Sequence, residues 1–183
     1  MLANSRGKGQ AFSLEIVISY MIFLVILVMI LYLWNMTTRE IMEANTQKNI
    51  NEISIDMAEQ LVRTPGNPRN WTADNVSTIG LANESRRLMR GKMVSFMHLM
   101  DTVNGSLCSD GDSNYECNRY MMGVMAYDFY INITYLNKSA LEIDGTQVVI
   151  GRSPVNETEL VTVVRAALVN ESIVLMHLTV WDD

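Results

Sequence analysis

The nineteen residues from Ile16 to Trp34, IVISYMIFLVILVMILYLW, include no charged side chain. As a helix they would extend roughly 28 Å, about the thickness of a bilayer's hydrocarbon core, and a run this long reads as a membrane helix. Arg6 and Lys8 precede it, whereas Arg39, Glu40 and Glu43 follow it. The positive-inside bias therefore sets the N-terminus in the cytoplasm and the long C-terminal part outside the cell. Glu15 lies on the edge of the apolar run, shortly after Gly9 and Gln10. A lone carboxylate at the border of hydrocarbon is costly unless paired, which marks Glu15 as a functional candidate.

A secretory signal would place small residues at a cleavage site after the apolar run, but Leu31, Tyr32, Leu33, Trp34 and Asn35 stand there. The helix is expected to be retained. Residues 36–63 continue it as an amphipathic half, with Ile50, Ile53, Met57, Ala58 and Leu61 at helical spacing and Glu43, Lys48, Glu52 and Glu59 on the other sides. Thr64-Pro65 ends it, because proline donates no hydrogen bond and pushes its predecessor out of the helical region. Asn83 is positioned to cap a second helix running to about Val103, with Met89, Met93, Phe96, Met97, Met100 and Val103 forming one stripe. Arg86, Arg87, Arg90 and Lys92 fall mostly off that stripe. Methionine fills irregular gaps, so the stripe reads as core, with a soft-metal or peptide groove as the alternative. His98 lies off the stripe and is expected to be exposed. A short helix is expected around Asn114 to Val124.

From Tyr127 the apolar period changes to two. Tyr127, Phe129, Ile131, Ile133 and Tyr135 form one face of a strand, and Asp128, Asn132 and Thr134 the other. Asp144-Gly145 sits between two short strands, the favoured pair for a tight hairpin turn. Thr158 to Leu168 and Ile173 to Trp181 form a second hairpin, and the nearly continuous apolar residues Val174 to Val180 suggest a central strand. His177 within it reads as a satisfied sheet residue. The expected fold is α+β: a long N-terminal membrane-spanning helix continues into an amphipathic half, which packs with the second helix on a small antiparallel sheet of four or five strands.

The remainder of the chain suffices for one domain. Its net charge of −6, which becomes −8 if Arg6 and Lys8 are removed, speaks against nucleic acid as a partner. Cys108 and Cys117 flank an acidic, glycine-bearing loop, and outside the cell a disulfide is their expected state. Two cysteines with no neighbouring histidine make a poor zinc site. Asp110, Gly111, Asp112, Ser113 and Asn114 resemble a calcium loop in composition but lack its terminal glutamate, so a solvated turn is the expectation. Nine Asn-x-Ser/Thr triplets begin at Asn35, Asn70, Asn75, Asn83, Asn104, Asn132, Asn137, Asn156 and Asn170. Chance would give about two, and the excess points to N-linked glycans on an extracellular surface. No nucleophile motif, HExxH or phosphate loop is present, so the chain is not expected to be an enzyme and no cofactor is expected.

The leader MLANSRGKG followed by QAFSLE resembles the class III signal of archaeal type IV pilins and related surface proteins. Those proteins usually show Gln-x-Ser-x-Glu, whereas here one extra residue intervenes, with Ser13 and Glu15 three and five positions after Gln10. The resemblance implies a prepilin peptidase that cuts between Gly9 and Gln10, or alternatively after Gln10, which would make Glu15 the fifth mature residue. Pro65, Gly66, Pro68, Trp71, Val76, Ile79, Gly80 and Leu81 match a segment that recurs in archaeal pilin-like proteins, and YDFYINI and the closing LTVW belong to the same resemblance. On the physical side, Trp71 suits a core anchor and Gly80 a position of positive φ.

The implied organisation is a leader at 1–9, an assembly helix at 10–35 and an extracellular pilin-like domain at 36–183. The implied partners are the peptidase, the membrane and other pilin subunits, in a surface filament serving adhesion or assembly. There Glu15 would pair with the freed amine of a neighbouring subunit. An uncleaved signal anchor on a non-polymerising, glycosylated binding module is the alternative.

Overall fold

A computed structural model of the chain describes residues 7–108, 111–124, 126–157 and 159–182, with the side chains of residues 7–13 and 43 outside the description. Helix α1 runs Gly7–Arg63, and neither glycine nor proline occurs between Gln10 and Arg63 to interrupt it. The chain divides into two units, one ending at Gln47 and the other running Lys48–Asp183. The first is apolar helix with the polar turns that follow it.

The second unit has its own core. The last turns of α1 bury Ile50, Met57, Ala58, Leu61 and Val62, and the buried Ser54 hydroxyl donates to the Ile50 carbonyl at 2.6 Å. The helix ends at the expected Thr64-Pro65. Gly66 then takes φ +75°, a left-handed conformation that suits a residue without Cβ. The returning chain satisfies the helix's last carbonyls: Leu81 N–H donates to Leu61 O at 3.0 Å and Ala82 N–H to Thr64 O at 3.1 Å. Trp71, 2% exposed, is the anchor of this return, and its indole N–H donates to Gly80 O at 2.8 Å. Gly80 itself does not have positive φ. It is needed for close approach, since a Cβ there would lie 2.5 Å from both Gly66 N and Thr64 Oγ1.

The expected helix from Asn83 is replaced by a small hairpin, β1 (Ala82–Glu84) and β2 (Arg87–Leu88), followed by α2 (Arg90–Leu99) with Met89 as its N-cap. Two contacts explain the change. Arg86 adopts φ +63°, donates its N–H to Val62 O at 2.7 Å and accepts at its carbonyl from Leu168 N–H at 2.8 Å, which ties the turn between helix and sheet. Met93, Phe96 and Met100 are core, as the stripe implies, but Val103 lies beyond the helix and is 91% exposed. Lys92 is buried rather than solvated. Its ammonium donates to Ala82 O at 3.1 Å and also to Pro65 O. Burial, and secondarily the charge of Arg69, hold its pKa below the ordinary lysine value.

Helix α3 (Asn114–Asn118) and a 3-10 turn (Arg119–Met122) occupy the expected third helical stretch, stopped by Gly123 at φ +77°. Strands β3 (Tyr127–Tyr135), β6 (Val149–Gly151), β7 (Leu160–Val169) and β8 (Ser172–Asp182) join β1 and β2 in a six-stranded sheet. Its order is β1-β2-β7-β8-β3-β6. A separate hairpin pairs β4 (Glu142–Ile143) with β5 (Thr146–Gln147), turning at Asp144 and Gly145 with φ +53° and +79°. The large sheet is mixed rather than antiparallel, because β2 meets β7 in parallel at Arg87 and Leu168. β8 is central, as its apolar run implies, and β7 reaches it through a two-residue turn at Asn170 and Glu171, both with positive φ. Val174, Met176, Leu178 and Val180 of β8 join Phe129, Ile131 and Ile133 of β3 in the core with α1. Arg165 of β7 closes the same face by donating to Glu59 of α1 at 2.7 Å.

Candidate functional site

From Leu14 to Met42 every large hydrophobic side chain except Leu24 is more than a third exposed, with Trp34 at 72%. None of the most apolar eighteen-residue window is buried. Among the described residues nothing covers this stretch, and it is long and apolar enough to cross a membrane. The polar residues after the run fold back on the helix. Asn35 Nδ2 donates to Leu31 O at 3.1 Å and Thr38 Oγ1 to Trp34 O at 2.8 Å, so these polar side chains are bonded to the helix beside Tyr32 and Trp34.

Glu15 lies one residue before the run, on the helix and exposed. Among the described residues no cation pairs with it. On a helix it shares a stripe with Ile18, Ser19 and Ile22, so it is an anion on an otherwise greasy surface. The residues of the expected cleavage, Gly9 and Gln10, belong to α1, but their side chains lie outside the described residues, as does the leader to Arg6.

Cys108 and Cys117 are disulfide-bonded, as expected. Ser109 and Asp110, the latter the first residue of the calcium-like stretch, fall outside the described residues. Around them the polar groups serve the loop's own backbone. Asp101 accepts from Val103 and Asn104 N–H at 2.8 and 3.0 Å, which lowers its pKa, and Asn114 Oδ1 accepts from Leu107 N–H at 2.9 Å. Among the described residues no group of three His, Cys, Asp or Glu side chains could hold a metal. His98 is exposed, and His177 Nε2 lies 3.2 Å from Thr134 Oγ1 on the sheet.

Eight of the nine sequon asparagines are exposed, namely Asn35, Asn70, Asn75, Asn83, Asn104, Asn137, Asn156 and Asn170. Asn132 is only partly exposed, and its side-chain oxygen is buried without a hydrogen-bond partner.

One polar cluster was not visible in the strand pattern. Asp128, expected on the solvent face, is fully buried. It accepts from Tyr115 Oη at 2.8 Å, Arg119 Nη1 at 2.7 Å and Arg152 Nη1 at 2.8 Å. Glu116 pairs with both arginines, and Arg152 lies 5.7 Å over the Tyr115 ring. Tyr115 Oη accepts from Phe129 N–H at 3.0 Å, and burial holds its phenol well above the usual tyrosine range. Through this cluster α3 and the disulfide loop are fastened to the start of β3. The signal for it was an acid enclosed by Tyr127 and Phe129 at the head of an aromatic strand.

Comparison of the chain with protein-family models, with curated proteins and with solved structures gives no match.

Proposed function

We propose that this chain is a structural subunit, a minor pilin, of an archaeal type IV pilus-like surface filament serving adhesion or assembly. The observation that carries this reading is the fully uncovered apolar helix with Glu15 at its edge. As a precursor, the chain sits in the membrane with its N-terminus in the cytoplasm and its second unit outside. A prepilin peptidase removes the basic leader at Gly9/Gln10, and the apolar helix passes from lipid into a bundle of identical or related helices. Both surroundings bury the same side chains, so transfer from bilayer to fibre costs little hydrophobic energy. Glu15 meets the new amine of a neighbouring subunit, and an unpaired carboxylate becomes a register mark. The disulfide and the excess of sequons support an extracellular second unit bearing glycans.

The test is Glu15→Ala in the native host, with filaments sheared from cells and probed for the chain. Incorporation should fall at least tenfold while the unfolding transition of the second unit is unchanged. Filaments containing the variant at wild-type levels would sink the proposal, as would a native protein that retains Met1. Recovery solely as detergent-soluble monomers from piliated cells would favour the anchored, non-polymerising binding module.

A further inference from the structure

Strand β7 presents an open edge. Leu168 N–H donates to Arg86 O, on the side away from β8. In an antiparallel strand alternate residues aim their backbone groups to the same side, so Leu160, Thr162, Val164 and Ala166 also turn N–H and C=O away from β8. β2 meets β7 only at Leu168, and among the described residues no other strand lies beside the stretch from Leu160 to Ala166. These four residues are all exposed, whereas Val163 and Ala167 between and after them are buried. Natural sheets block such edges with lysine, proline, a bulge or a covering loop. β7 carries no lysine, proline or glycine and keeps unbroken register with β8 along its ten residues. Its one charge, Arg165, is turned to the other face and held by Glu59.

We infer that this edge is an interface for a second copy of the chain, through antiparallel pairing of β7 with β7 about a two-fold axis. Pairing Leu160 with Ala166 of the second copy and Thr162 with its Val164 brings outward backbone groups opposite outward backbone groups, as a ladder requires. The side chains that then meet on the exposed face are uncharged. Arg165 falls opposite Val161 of the other copy, so no like charges confront each other. Glu157 lies in the lead-in to β7, and setting Leu160 opposite Ala166 of the other copy brings that lead-in to the end of the other copy's open edge, where Arg87 of β2 meets Leu168 and opposite charges attract. The two-fold makes that attraction occur twice. This self-complementarity of charge selects a second copy over an unrelated extended peptide. The inference is independent of the role given to the apolar helix.

The experiment uses the full-length chain, one copy per lipid nanodisc, with donor- and acceptor-labelled discs mixed so that helix bundling within one bilayer contributes nothing. Energy transfer between discs is titrated to about 100 µM. Wild type should associate. Val164→Lys and Thr162→Lys, each placing a charge on an already exposed position of the edge, should weaken association at least tenfold with unchanged unfolding midpoints. Val103→Lys, at a 91% exposed residue remote in sequence from the edge, should leave it unchanged. Absence of wild-type association over that range would overturn the inference. So would association that survives both edge lysines, or that Val103→Lys weakens equally. Should Val164→Lys fail to fold, Thr162→Lys carries the same comparison.

Discussion

Replacing Asp128 with alanine should destabilise the second unit by about 3 kcal/mol, the low end of the 3–5 kcal/mol typical of removing one partner from a buried ion pair. The carboxylate is fully buried and accepts three hydrogen bonds, two of them from guanidinium groups. What remains after its loss decides the magnitude. Arg119 and Arg152 are 24% and 43% exposed at the side chain, so each regains some water, and Glu116 stays within reach of both. These features relieve part of the penalty. Tyr115 has no such relief, because it is fully buried and its hydroxyl proton loses its acceptor. For a unit of this size the loss corresponds to a fall in Tm of about 10 °C. Asp128→Asn, which keeps the shape and loses the charge, should cost about half as much. Arg152→Met, at the wet end of the cluster, should stay within about 1 kcal/mol of wild type. The assay is thermal unfolding of the full chain in mild detergent, followed by near-ultraviolet dichroism and the fluorescence of Trp71 and Trp181, both 2% exposed. An Asp128→Ala protein within 1 kcal/mol of wild type would refute this account, as would an Arg152→Met protein losing as much as Asp128→Ala.

Gly80→Ala should cost about 2–3 kcal/mol, since its Cβ would press on the backbone of Gly66 and on Thr64. Gly91→Ala, in α2 with nothing within 4 Å of the new Cβ, should instead stabilise by about 0.5–1 kcal/mol, and urea midpoints of the pair would expose an error in either sign. The phenol of Tyr115 stays protonated in the folded chain at pH values where the unfolded phenol ionises, chiefly because it is buried. Stability due to it is therefore complete below about pH 10 and lost as pH rises above, so urea midpoints of wild type should fall more steeply between pH 8 and 11 than those of Tyr115→Phe. Glycopeptide mass spectrometry of native protein should find sugar at exposed loop sequons but not at Asn132, whose side-chain oxygen is buried, nor at Asn35, whose amide donates within the helix. Full occupancy of Asn132 would contradict the placement of β3.

Long elements with a single strong period were legible from the residues. The length of α1, its stop at Pro65, the Asp144-Gly145 turn and the centrality of β8 all follow from periodicity and turn chemistry that act locally. The β1–β2 hairpin was not legible, because strands of three and two residues carry no period and their conformation is imposed from outside by Val62 O and Leu168 N–H. Lys92 and Asp128 share that cause. Each sits where alternation or helical spacing assigns a polar residue to solvent, and each is buried because partners distant in sequence, Pro65 and Ala82 for one and Tyr115, Arg119 and Arg152 for the other, converge on it. Gly80 was legible as a constrained glycine but for the wrong reason, since close approach and positive φ leave the same mark in a sequence. Of the candidate site, the apolar helix, the disulfide and the exposure of eight sequon asparagines were legible, whereas the burial of the Asn132 side-chain oxygen was not.

The two prominent carboxylates of this chain pose the same problem and meet it differently. Asp128 lies out of water, and the fold supplies two guanidiniums and a phenol from its own sequence, so its charge is settled within one molecule. Glu15 borders nineteen uncharged residues, and among the described residues nothing cationic reaches it. In water that would be unremarkable, because an exposed carboxylate is well solvated. It becomes costly once the neighbouring helix surface is covered by lipid or protein, and that surface is too apolar to remain uncovered. The requirement for a partner thus arises together with that burial. On the proposed reading, an amine released at the head of another copy meets the requirement, so cutting the leader and joining the filament are energetically one event. A variant with Gln at position 15, neutral and nearly isosteric, separates the two contributions. Glu15→Gln should still enter membranes and helix bundles, because nothing apolar is lost, but its filaments should lose register and incorporate subunits less efficiently. Unchanged incorporation of Glu15→Gln would mean that apolar packing alone sets the assembly and that the charge has no part in it.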